Sequence, residues 1–227
     1  MSELRVRRFG EGPLSRASAM IYTLLVVEIA LLVTTLPGLL PLLLLERDAS
    51  NLPLVAGCAL PIGPALSGAL YALHHRHLDL TDLAPAKAFW HGYKINFFGV
   101  LKIWALLLAW LTIVAVNLSH LAAAGIPGWW AVLLVVIAAG AALWGVNTLV
   151  IASLFSFRTR DIARLALYFL GRAKGVTLGN VCLLVVAAGI TALTSEVVVV
   201  LLGSVLALLL LRSSHPMITE IQKEFTE

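Results

Sequence analysis

Glu28, Lys102 and Asn147 are the side chains least at home among their neighbours, because each interrupts a long apolar run. A charge held in hydrocarbon costs about 3 kcal/mol or more, so such residues are functional candidates from the outset. Glu28 lies about eleven residues into its run, ~16 Å from the end of a straight helix, and Lys102 about seven residues into its own, ~10 Å. Asn147 sits at comparable depth. Two readings follow. A Glu28–Lys102–Asn147 cluster inside a helix bundle would form part of a solute or ion path. Alternatively, the same groups form a structural pair that holds helices together, which a single acid and a single base favour.

The second candidate is a backbone device. The run "ALPIGPALSGALYALHHRH", Ala59 to His77, places Pro61, Gly63 and Pro64 near mid-bilayer. Pro64 suits the first turn of a new half-helix, Gly63 permits a backbone turn before it, and carbonyls near Gly57 and Leu60 lose their helical donors. Those carbonyls must meet protein or water, since lipid offers no donor. One reading is a kinked helix whose small residues Gly63, Ser67 and Gly68 admit a close neighbour. The sharper one is a true break, with the N-terminus of the half-helix facing a polar ligand. The cluster "HHRH", His74 to His77, lacks a second ligand group at fixed spacing, so a pH-sensitive or lipid-headgroup contact fits it better than a metal.

No enzyme signature accompanies these residues. The chain lacks a phosphate-binding glycine loop, H-E-x-x-H, G-x-S-x-G and a zinc-spaced Cys/His set. Cys58 and Cys182 lie inside apolar runs and read as small hydrophobes. No catalytic residue, metal or cofactor is expected.

The elements that hold these residues follow from composition. Of 227 residues, 60% are hydrophobic and 12% charged, with mean hydropathy +0.97, against about 45–50% and about 25% in soluble domains. Lipid is the solvent such a chain needs. Six runs reach spanning length: about 17–45, 54–73, 95–116, 129–154, 176–193 and 197–211. Pro37 and Pro41 are expected to kink or split the first. "RVRR" before that run resembles the start of a signal peptide, but the run is too long and no small-x-small site follows, so it reads as a retained span.

Fourteen of the sixteen Lys and Arg residues fall on one side of this arrangement; Arg47 falls on the other and Lys102 within a span. The positive-inside bias puts both termini in the cytoplasm. It also accounts for the net charge of +4 without nucleic acid as a partner. Trp129 and Trp130 mark the outer interface. In "RDIARLALYFLGRAK", Arg160, Arg164, Tyr168, Gly171 and Arg172 share one helical stripe and Ile162, Leu165, Ala166, Phe169 and Leu170 the other, which predicts an interfacial helix. "DLTDLAPAKAFWHGYK" predicts a second, capped by Asp82 with Pro85 in its first turn. A shift of 79 aligns Asp82 with Asp161, Phe89 with Tyr168, Trp90 with Phe169 and Gly92 with Gly171, which suggests a duplicated unit. The expected fold is all-α: one polytopic membrane helix bundle over residues 1–227, with six spans and two cytoplasmic interfacial helices.

"LLVTTLPGL", "LPIGPALSGALYALHHR" and "FWHGYKINFFGVLKIW" resemble the YesL-like bacterial membrane proteins, a domain of unknown function, and most closely their actinobacterial branch. The resemblance covers most of the chain and is most specific over Leu60–Tyr71 and Phe89–Asn96. It implies a multi-pass protein of the bacterial cytoplasmic membrane, accessory to a sugar ABC importer with permease subunits as partners; the lipid bilayer and a homo-oligomer are further expected partners. Other members carry an asparagine- and tryptophan-containing first span where this chain has "VVEIALL", so the resemblance assigns Glu28 no role. A small-solute transporter or channel, with the broken second span at its binding site, is the competing expectation. "DLAPAKAFWHG" is a poor match to the ATPase-docking loop of an ABC permease itself.

Overall fold

A backbone in hydrocarbon must satisfy its own N–H and C=O groups, and helices do so within one segment. The computed structural model describes residues 13–46, 48–76, 84–121 and 123–225, and among them it contains helices and no strand. Helix α1 spans Pro13–Leu44. A short 3-10 turn leads into α2 (Leu52–Cys58), followed by α3 (Ile62–His74). Next come α4 (Pro85–His120) and α5 (Trp129–Leu154), then α6 (Thr159–Arg172) and α7 (Lys174–Leu193). The chain ends in α8 (Glu196–Leu201), α9 (Gly203–Ser213) and α10 (His215–Phe225). Five segments among the described residues are long and apolar enough to cross a membrane, and α9 is a shorter apolar helix.

The up-and-down connectivity gathers the ends of α3, α5 and α9 and the starts of α1, α4 and α7 at one end. That end carries Arg16, Arg76, Lys87, Arg158, Arg160, Arg164, Arg172, Lys174 and Arg212 together with Asp161, Glu220 and Glu224, whereas the opposite end carries Glu46 and Asp48. Arg5, Arg7, Arg8, Arg47, His77 and Asp82 lie outside the described residues.

Helix α3 is the buried centre of this bundle and packs against α1, α4, α5 and α9. Small residues make that possible. Gly63, Ala65, Ser67, Gly68, Ala69 and Ala72 are all buried, and a methyl group added at Gly68 would come 3.1 Å from the Phe89 carbonyl. The largest enclosed side chains are Phe89, Phe169, Leu70, Leu73, Ile151, Met217 and Ile221. The outer surface stays apolar, with Phe98, Leu106, Val132 and Val185 exposed, as expected where lipid is the solvent.

Several boundaries differ from the sequence reading. Helix α1 continues through Pro37 and Pro41 without a split. The expected first interfacial helix is not separate; it forms the opening turns of the 36-residue α4. Pro85 does occupy the first turn there, with Ala84 at the cap. The sixth run is two pieces, because the chain leaves helical geometry at Leu202. Helix α10 was not anticipated, although Met217, Ile218 and Ile221 are buried at helical spacing. The α6 stripe is as expected: Ile162, Ala166 and Phe169 are buried, and Arg160, Arg164, Tyr168, Gly171 and Arg172 are exposed. The shift of 79 does not carry into environment, since it pairs buried Phe89 with exposed Tyr168 and buried Gly92 with exposed Gly171.

Candidate functional site

Span two passes from α-helix into a short turn at Pro61, just before Gly63 and Pro64, while Ala59 and Pro61 keep right-handed helical angles. Residues 59–61 form a turn between α2 and α3. The Ala59 carbonyl accepts the Ile62 amide at 3.2 Å and the Trp104 indole N–H at 3.0 Å. The turn carbonyl of Ala59 is thus met by a donor from α4, while the Gly57 carbonyl, which loses the Pro61 donor, accepts the Leu60 amide at 3.2 Å. Gly63 is buried beneath the same indole, and any side chain there would overlap the ring. Pro64 is buried in the first turn of α3. The N-terminus of the half-helix therefore faces Trp104 of α4.

Glu28 belongs to a different break. The Ser204 amide donates to its Oε2 at 2.7 Å, so the carboxylate caps the start of α9 just past Leu202. No side chain of the cap residue does so. A carboxylate at a helix N-terminus satisfies an orphan N–H and meets the positive end of the helix dipole. Its second oxygen, Oε1, is buried without a hydrogen-bond partner. A cavity of about 240 Å³ lies alongside, lined by apolar side chains with Thr35, Asn180 and Gly203, but Glu28 is not part of its wall.

Asn147 joins a third set. The Asn180 side-chain amide donates to Asn147 Oδ1 at 3.0 Å, and the Ser213 hydroxyl donates to Asn180 Oδ1 at 3.1 Å. Asn147 Nδ2 points back to the Ala166 carbonyl at 3.4 Å. Both asparagines are 1% exposed. This chain of donors runs from α9 through α7 and α5 to α6. Lys102 faces the other way. It lies on the outward stripe of α4 together with the exposed Ile95, Phe98, Leu106 and Ile113. The structure thus places Glu28, Lys102 and Asn147 in three separate environments.

At the basic end, α1, α3 and α4 border an open recess of about 340 Å³ that includes Thr23, Tyr71, His75, Arg76, Lys87 and His91 in its wall. The Tyr71 ring is stacked 4.2 Å from the His75 imidazole and lies 5.5 Å from that of His91, tilted by 54°. His75 Nδ1 hydrogen-bonds the Tyr71 carbonyl at 3.0 Å, which turns its Nε2 away from the backbone. Arg76 Nη1 donates to the Leu73 carbonyl at 2.5 Å. Burial, and then the nearby Arg212, push the Arg76 guanidinium below its ordinary value. Its charge is thus half-buried beside a second cation. Among the described residues no three His, Cys, Asp or Glu side chains are grouped to hold a metal.

Trp104, Asn180, Ser204, Tyr71 and His91 were missed in the sequence. Asn180 was discoverable, being, like Asn147, an amide inside an apolar run. The other four depend on which helices become neighbours, and a single span does not encode that.

Fold and site define a polytopic membrane helix bundle. Residues 20–118 match the model of a family described as a protein of unknown function, DUF624. The match runs from α1 to near the end of α4, so it holds Glu28, the 59–61 turn, Lys102 and the basic cavity, and stops short of the Asn147–Asn180 pair. No curated protein and no solved structure matches the chain.

Proposed function

We propose that the protein is a non-catalytic accessory subunit of the bacterial cytoplasmic membrane, a YesL-like scaffold that works beside the permease of a carbohydrate ABC importer. The observation that carries this reading is Lys102. An ammonium on an outward apolar stripe is costly in hydrocarbon, and a carboxylate on a neighbouring subunit removes that cost. The interior polar groups support the same reading, because Asn147, Asn180 and Ser213 are used in joining helices rather than in lining a passage.

Co-purification from native membranes tests it. The wild-type chain is expected to bring down an importer permease and its ATPase, identified by mass spectrometry, and K102L to lose them while remaining monodisperse. Equal recovery with K102L would mean that Lys102 snorkels to the interface instead and would remove the carrying observation. Recovery of a second copy alone would make the partner the chain itself.

A second reading, a small-solute transporter, has its own support in the α8–α9 break. Discontinuous helices with a charged group at the break form binding sites in transporters. Under this reading the site moves from span two to Glu28 and Ser204.

A further inference from the structure

We propose that the cavity between α1, α3 and α4 binds a phosphate-bearing anion, either a lipid headgroup or a soluble phosphate ester. Arg76 and Lys87 bring permanent positive charge to its wall, and His75 and His91 add two imidazoles. The ion pair among the described residues is Arg172–Glu220, on α6 and α10, so no described carboxylate balances Arg76 or Lys87. Arg212 adds a further cation close to Arg76. Positive charge concentrated in a recess, with no described carboxylate set against it, attracts anions.

Phosphate is the anion that the geometry suits. A guanidinium fork matches two phosphate oxygens, and an ammonium acts as a point charge on a third. The volume of about 340 Å³ exceeds what a halide fills and leaves room for an esterified group. Lys87 and His91 are one turn apart on α4 and share a face. They meet His75 and Arg76 across the recess, so the charges come from two elements that α3–α4 packing holds in place. Beyond His91, deeper along α4, Ile95 and Phe98 are exposed to the outside. The recess therefore lies at headgroup height, reachable from the aqueous phase and from the lipid surface.

The test uses the full chain in phosphatidylcholine nanodiscs, with inorganic phosphate as one probe. The second probe is phosphatidylglycerol, added to the nanodisc lipid and scored as retained molecules by native mass spectrometry. Wild-type protein is expected to bind at least one of the two probes. K87Q should weaken that binding about tenfold, and R76Q/K87Q should abolish it. R160Q/R164Q, which removes two charges from α6 outside the cavity, should leave it unchanged. Phosphate binding identifies a soluble ester as the source, and phosphatidylglycerol retention alone identifies a headgroup. Because R76Q risks the fold, K87Q by itself, at an exposed residue, decides the matter. D79N/D82N, in the connection outside the described residues, should keep or tighten binding. Binding of neither probe, equal loss in R160Q/R164Q, or loss in D79N/D82N would overturn the proposal.

Discussion

The carboxylate of Glu28 accepts a hydrogen bond from the Ser204 amide at 2.7 Å, tying the middle of α1 to the first turn of α9. The sixth apolar run is interrupted at Leu202, and this contact receives the freed amide. E28Q keeps an acceptor but loses the charge, so it should lower stability by about 1 kcal/mol, whereas E28A should cost about 2 kcal/mol. Unfolding in detergent followed by helicity measures both. If E28A equals wild type, the carboxylate does not hold α9.

The Asn147–Asn180–Ser213 chain predicts coupling. N180L strands the Asn147 carbonyl and the Ser213 hydroxyl and should cost about 1–2 kcal/mol. A double-mutant cycle of N147L with N180L should return a coupling of roughly 0.6–1.7 kcal/mol, the range known for hydrogen bonds between membrane helices. Zero coupling would mean the two amides do not bond.

Gly63 and Gly57 should differ in their response to one methyl group. At Gly63 a methyl meets the Trp104 ring, whereas at Gly57 it meets open space. G63A is expected to destabilise by about 1–3 kcal/mol through overpacking. G57A should be neutral, or stabilising by up to about 1 kcal/mol, because alanine is the better helix former. W104F removes the indole donor to Ala59 and should cost about 1 kcal/mol. The same unfolding experiment ranks all three.

Helix α10 is held by its apolar face. The Arg172–Glu220 pair is 58% and 32% exposed, so E220Q should cost less than about 1 kcal/mol. Ile221 is fully buried, and I221A should cost about 2–4 kcal/mol. Limited proteolysis near residue 214 reports the difference, with I221A cut faster than E220Q.

What was legible in the sequence follows from what one segment encodes. Spanning runs and the α6 stripe depend on local hydropathy and periodicity; the stripe is observed, and five of the six runs lie in helices of spanning length. The turn at 59–61 was also local, since Pro61, Gly63 and Pro64 announce it, but its partner Trp104 was not. The α8–α9 break was hidden because "VVVVLLGSVLALLLL" is apolar throughout, and Gly203 and Ser204 are weak signals beside Glu28. Depth alone suggested a cluster of Glu28, Lys102 and Asn147. Depth says nothing about rotation about the helix axis, and rotation is what turns Lys102 outward and Asn147 toward Asn180.

Solute flux by the purified protein alone tests the scaffold reading most directly. The chain is reconstituted in liposomes, and uptake of labelled mono- and disaccharides is followed against protein-free vesicles. Uptake equal to that of protein-free vesicles is the predicted result. Saturable uptake by wild-type protein that E28Q abolishes would contradict it and make the α8–α9 break a transport site.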